Sequence, residues 1–230
     1  MQLPDRKAWA EDFINEDFYN KIEQYNNDAA DRWKQLSYSV QFSDNYQVDF
    51  GIDGEILTCR EDAIFLHKSI VLDSFFYVDY IRKNTIGKIY DIGCASSVFS
   101  YVFDDIVGID PEHPAADVVK TFNNNFIKKH NGQFPAAIAI NSLHSVSFLK
   151  FKKRIIDFSE CITPGGFGYI TFNIAHLSMN TKGSDIPEDV PNYIKSELAD
   201  TSLNIINLEI FELGYWNNSL DGNIRILFRK

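Results

Sequence analysis

Lys88–Asp110, KIYDIGCASSVFSYVFDDIVGID, is the stretch whose reading decides the fold. Ile89 and Tyr90 lead as a strand into Asp91, and a turn of small residues follows, Gly93-Cys94-Ala95-Ser96-Ser97. Val98 to Phe103 is an apolar helical run, and Ile106 to Ile109 is a second strand closed by Asp110. A βαβ nucleotide-binding unit needs this pattern. Its turn must lack bulk so that backbone can approach a ligand, and its second strand ends in an acid that can accept from ribose hydroxyls.

At 230 residues the chain can bury one substantial core. Its 45% hydrophobic and 23% charged residues are those of an ordinary globular protein, and 19 Phe and 11 Tyr forecast an aromatic core or a stacking pocket. The net charge of −10 disfavours broad contact with a phosphate backbone. Cys59, Cys94 and Cys161 are odd in number and widely spaced, which fits reduced thiols of a cytoplasmic protein and neither a disulfide framework nor a metal cluster. No apolar run reaches membrane-spanning length, and the N-terminus has no signal-like apolar core.

Outward from the decisive stretch, residues 5–36 carry aromatic and aliphatic side chains at helical spacing. Asn26-Asn27-Asp28 splits them into two helices. Ser37 to Thr58 alternates loosely, as a hairpin or an extended lid would, so residues 1–60 read as a helical, aromatic extension before a main domain at 61–230. Glu61 to Lys83 is an amphipathic helix leading into the first strand. Beyond Asp110, Asp117 to Phe122 fits an edge strand followed by a helix from Asn125 to His130, although one helix over 115–130 fits the same period; the strand is preferred. Ala136 to Asn141 is a strand buried on both faces. Leu149 to Cys161 is a helix, Thr163 to Gly166 a turn, and Phe167 to Phe172 a strand. A polar loop from Ser178 to Ser184 and a helix from Val190 to Leu198 precede two strands, Ile205 to Phe211 and Ile224 to Phe228, which pair antiparallel. Such alternation is an α/β architecture.

Four pieces in this order resemble the class I S-adenosylmethionine-dependent methyltransferases. They are Tyr90–Ser97 (the glycine-rich first motif), Val107–Pro111 (the ribose-binding strand end), Ala139–Val146 and Ile162–Phe172, with its Pro-Gly-Gly turn. The resemblance implies a three-layer α/β sandwich around a mostly parallel seven-stranded sheet with the last strand antiparallel. S-adenosylmethionine would be the cofactor. Asp91 would hold its amino group, Gly93, Cys94 and Ala95 would admit it, and Asp110 with Pro111 would bind the ribose. Asn124, Asn141 and Ser142 would complete that site. The alternative reading of Asp91, less favoured than the ligand-binding one, is an acid that the macrodipole alone would place at a helix N-terminus.

Methyl transfer needs chiefly alignment of acceptor and donor, with a general base for an oxygen or nitrogen acceptor. His144, just beyond the fourth strand, is the candidate base, or else a histidine packed beneath the cofactor. Asn173 and His176 are further candidates, and His113 reads as an exposed turn residue. The implied activity is methyl transfer to a small-molecule acceptor such as a sugar or metabolite hydroxyl. The first motif keeps one glycine, with Ala95 and Ser97 at the other small places, so a silent binding or assembly protein of the same fold is the alternative. A nucleic-acid methyltransferase would require a basic face built from Lys128, Lys129, Lys150, Lys152, Lys153 and Arg154. A nicotinamide-binding enzyme is the nearest rival in fold.

Overall fold

Ile89–Ile92 (β1) lies third in a sheet of order β3-β2-β1-β4-β5-β7-β6. Ile106–Asp110 (β2) and Val118–Val119 (β3) extend it to one side. Phe134–Ile140 (β4), Ile162–Asn173 (β5), Asn204–Trp216 (β6) and Ser219–Arg229 (β7) extend it to the other. The computed structural model describes residues 2–25 apart from 19 and 23, and then 68–94, 98–110, 117–119, 122–143, 146–216 and 219–230. The hairpin or lid expected over 37–58 lies outside these residues, as do the expected helical residues 26–36 and 61–67.

Pairings from β3 through β5 are parallel, and β7 runs antiparallel to both β5 and β6. The central strand Phe134–Ile140 is apolar along its whole length, because helices cover both faces of the sheet. Chain order reverses direction across the sheet between β1 and β4. A crevice forms at such a point, outside the carboxyl ends of the strands.

The helices are Arg6–Phe13 (α1), Lys68–Asn84 (α2), Val98–Val102 (α3), Asn124–His130 (α4), Phe151–Glu160 (α5), Ile174–Met179 (α6) and Val190–Ala199 (α7). On one face, α4 to α7 pack Phe148, Phe151, Ile155, Phe158 and Ile194 against Ile170, Phe172, Ile226 and Phe228. On the other, Phe75, Phe76, Tyr77 and Ile81 of α2 pack against Ile89, Ile138 and Tyr169, and Phe18, Ile22 and Tyr25 join the same cluster. Strand alternation sets this division, since neighbouring residues along a strand face opposite ways.

Helix α1 is held to this second face by polar contacts as well as by its rings. Trp9 Nε1 donates to Asp79 Oδ2 at 3.0 Å, and Arg6 donates to the Tyr77 hydroxyl at 2.6 Å and to Glu209 of β6 at 2.6 Å. Asp79 is buried, but Lys83 and Arg82 reach it at 2.7 and 3.3 Å, so its charge is compensated.

Three local expectations need correction. Of the edge strand expected from Asp117 to Phe122, Val118–Val119 is strand among the described residues, paired with the last two residues of β2. Asp117 and Phe122 are not strand, and residues 120 and 121 lie outside the described ones. Thr163 to Gly166 is not a turn ahead of a strand but the irregular start of β5. Gly165 takes φ +79° there, and the chain exchanges Gly165 N–H to Lys230 O and Lys230 N–H to Gly166 O. The polar loop expected from Ser178 starts later, since Ile174–Met179 is helical, capped by Asn173.

Candidate active site

The carboxyl ends of β1, β2, β4 and β5 meet at the direction-reversing crevice. The side chains there follow from strand register. Asp91 of β1 pairs with Gly108 of β2 and Ile138 of β4, and is 2% exposed. It shares the face of Ile89, two residues earlier, which belongs to the α2 cluster. Burial pushes the Asp91 carboxyl up to about 8, and the nearby Asp110 carboxylate at the end of β2 adds to the rise. Near neutrality a large part of Asp91 is therefore protonated, and its ionised form calls for a cationic partner.

Gly93 turns the chain out of β1 with φ +72°. Two causes converge on glycine here. The left-handed backbone disfavours any Cβ. A Cβ at this position would also collide with Cβ of Ser142, which comes from the end of β4. The Ser142 hydroxyl donates to the Ile92 carbonyl and so ties the two strand ends together. The N–H groups of Gly93 and Cys94 both donate to Ile109 O, at 2.6 and 3.3 Å, binding the turn to β2.

Asn141 leaves β4 with φ +48°, alone among the described non-glycine residues, and is fully buried. Its backbone N–H donates to Thr171 Oγ1 at 2.8 Å, and Thr171 Oγ1 donates to Asn141 Oδ1 at 2.9 Å. This two-way clamp sustains a sparsely populated backbone conformation at the crevice. Thr171 had no signal in the sequence beyond its place in a strand; the clamp depends on the β4–β5 register, which sets Thr171 beside Ile140.

Asn173 and His176 stand at the end of β5 and in α6. Asn173 Oδ1 accepts from His176 N at 3.2 Å, so this side chain serves as a helix cap. Asn124 opens α4 and is exposed. Asn123, not Asn124, makes the structural contact, accepting from Asn125 N and Phe126 N at 3.0 Å each. The crevice thus brings together Asp91, Gly93, Cys94, Asp110, Asn141 and Ser142. Ala95, Pro111, His113 and His144 fall outside the described residues.

The residues present suit a ligand carrying a positive charge next to a ribose. A buried acid of raised pKa faces the first requirement, and the half-exposed Asp110 at the second strand end suits the other. Among the described residues no group of three His, Cys, Asp or Glu side chains could hold a metal ion, and no helix is long and apolar enough to cross a membrane.

No family model matches the chain, and no curated protein matches it. Solved structures do. The chain is similar to a SAM-dependent methyltransferase from Archaeoglobus fulgidus, with 11% identity and TM-score 0.50 over 74% of this chain and 97% of that one. It is also similar to the N-methyltransferase NodS from Bradyrhizobium japonicum WM9, solved with S-adenosyl-L-homocysteine, at 11% identity and TM-score 0.49, covering 74% and 93% of the two chains. A third is a Burkholderia thailandensis 1,6-didemethyltoxoflavin-N1-methyltransferase, at 11% identity and TM-score 0.44 over 67% and 75%. At such identities the likeness is one of fold: a Rossmann-like, mostly parallel sheet with an antiparallel strand near its C-terminal edge, the fold of the class I S-adenosylmethionine-dependent methyltransferases.

Proposed function

We propose that the protein transfers a methyl group from S-adenosylmethionine to a small-molecule acceptor. The observation that carries this reading is the pair of acids at the ends of β1 and β2, one buried and one half-exposed, beside the Gly93 turn. The bound cofactor would supply an electrophilic methyl on a sulfonium. Asp91 would receive the aminium of its methionine part, and Asp110 its ribose hydroxyls through charge-assisted hydrogen bonds of roughly 1.5–3 kcal/mol. The Asn141–Thr171 clamp and the Ser142 tie would hold the floor of the crevice rigid, which is what alignment-driven catalysis requires. His144 is the proposed base toward the acceptor, and Asn173, at the end of β5, and His176, in α6, are the further candidates.

Titration calorimetry with S-adenosylmethionine and S-adenosylhomocysteine tests the reading directly. Saturable binding of both is expected, and no binding at millimolar ligand would sink it. Asp110→Ala should weaken binding at least tenfold, equivalent to about 1.4 kcal/mol. Unchanged affinity would remove Asp110 from the site.

A second reading is a binding or assembly protein of the same fold that turns nothing over. The turn's own bookkeeping of donors favours it: Gly93 and Cys94 N–H groups are spent on Ile109 O, and Ser142 fills the space above the glycine. Mass spectrometry of ligand released from the purified protein separates the two readings. The demethylated product points to turnover, and an empty protein that fails to bind either form points to the second.

A further inference from the structure

A cleft of about 560 Å³ opens between the segment after β3 and the segment after β4. Phe122, Asn124 and Asn125 line it from the segment after β3, and Lys150, Arg154 and Asp157 line it from the segment after β4. Asn124, read above as part of the cofactor site, lines this cleft, whereas Asp91, Gly93, Cys94, Asp110, Asn141 and Ser142 do not.

Its chemistry is that of a donor-rich pocket. Arg154 lies with its guanidinium 5.9 Å from the Phe122 ring centroid, within reach of a cation–π contact. Arg154 and Lys150 have no carboxylate partner among the described residues, and the side-chain amides of Asn124 and Asn125 have no hydrogen-bond partner there either. By contrast Lys153, which also lines the cleft, is matched by Asp157 at 2.6 Å, and Lys152 by Asp200 at 3.1 Å. Pairing thus sorts the basic residues of α5 into two that are neutralised and two, with Lys150 just ahead of the helix, that are left facing the cleft. In a chain of net charge −10 this is a local inversion of sign.

A planar guanidinium, an ammonium and two amides lining one cleft suit the oxygens of a phosphate group. The volume lies in the range of small-ligand pockets, and the overall acidity disfavours a long polyanion. We propose that this cleft binds a phosphate-bearing small molecule, with Arg154 and Lys150 as its anchors and Asn124 and Asn125 as supplementary donors.

The proposal is independent of the methyl-transfer reading and is tested with inorganic pyrophosphate, by calorimetry or ³¹P NMR on the full chain. Saturable one-to-one binding is expected, weakened tenfold or more by Arg154→Gln and severalfold by Lys150→Gln, which is on the surface and leaves the core untouched. Asp157→Asn should tighten binding about threefold, since it removes a negative charge from the lining and releases Lys153. S-adenosylhomocysteine affinity should be the same in all three variants, so failure here and failure of the crevice assignment read out separately. Three results overturn the proposal: no saturable pyrophosphate binding, binding indifferent to both Arg154→Gln and Lys150→Gln, or weaker binding in Asp157→Asn. A ten-nucleotide single-stranded RNA is the last arm. RNA binding tighter than pyrophosphate and lost in Arg154→Gln would assign the cleft to nucleic acid and also overturn the small-molecule proposal.

Discussion

The two faces of the sheet differ in what they bury. The face under α4 to α7 is lined by Phe148, Phe151, Phe158, Ile170, Phe172, Ile224, Ile226 and Phe228, with no charged group among them. The face under α1 and α2 has an equally aromatic centre, yet alternation puts Asp91, Thr171 and Arg225 on it, all buried. Arg225 stands directly across the β5–β7 ladder from Thr171 and reaches Glu209 of β6 at 3.4 Å. Glu209 is held in turn by Arg6 of α1, and these cations, mainly Arg6, keep its carboxyl below the usual range against the opposing effect of burial. The first face buries the serines Ser159 and Ser178 but no charged side chain, whereas the second accepts the greater cost of burying charged groups. Function is expected where that cost is carried.

Substitution on the dry face should give the largest effect and should be confined to stability. Phe158→Ala removes a fully buried ring that contacts Phe228 at 6.1 Å between centroids, and is expected to cost about 3–5 kcal/mol. A melting temperature lower by roughly 10 °C follows for a chain of this size. Ligand affinity of the folded protein should change less than twofold; a parallel fall in affinity would erase the division between the faces. Gly93→Ala should cost less, about 2 kcal/mol from the left-handed backbone and the contact with Ser142. It should also weaken S-adenosylhomocysteine at least tenfold, because the Ser142–Ile92 tie must shift. A stability loss with unaltered affinity would make Gly93 a packing residue only.

Much of this division was legible in the sequence, and the rest had a physical reason to be hidden. The strands around Asp91, Asp110 and Ala136 to Asn141 declare themselves because a doubly buried parallel strand is a continuous apolar run bounded by turns. The α2 helix is likewise visible through its period, and the terminal antiparallel pair through its spacing. The Asn141–Thr171 clamp is not visible, since it joins residues 30 positions apart through a register that no local pattern encodes. Short α6 was missed because six residues hold too few apolar positions to show a period. Asn173 illustrates the same limit at the site: an asparagine after a strand reads as a polar ligand group, and only the geometry reveals that its oxygen caps α6. The pairing that leaves Arg154 and Lys150 facing the second cleft depends on which carboxylates lie within reach, which a list of basic residues does not tell.

The finest distinction between the faces is a dependence on pH. With burial first and Asp110 second, the folded protein holds Asp91 at about 8, against a usual value of 3.8 for the unfolded chain. A raised acid pKa means that the folded state carries a proton the unfolded state has lost. The contribution of this group to stability is full below pH 4 and declines as pH rises toward 8. A ligand cation reverses the preference, so binding should expel the proton, and affinity for S-adenosylhomocysteine should rise between pH 6 and 8 by roughly tenfold or more. Asp91→Asn keeps the shape and removes the titration. Its melting temperature should exceed that of the parent at pH 8 and approach it at pH 5, while its ligand affinity should be weak and flat across the same range. Should the parent bind equally at pH 6 and pH 8, Asp91 would be a buried acid that never meets the ligand's charge, and both faces of the sheet would count as scaffold.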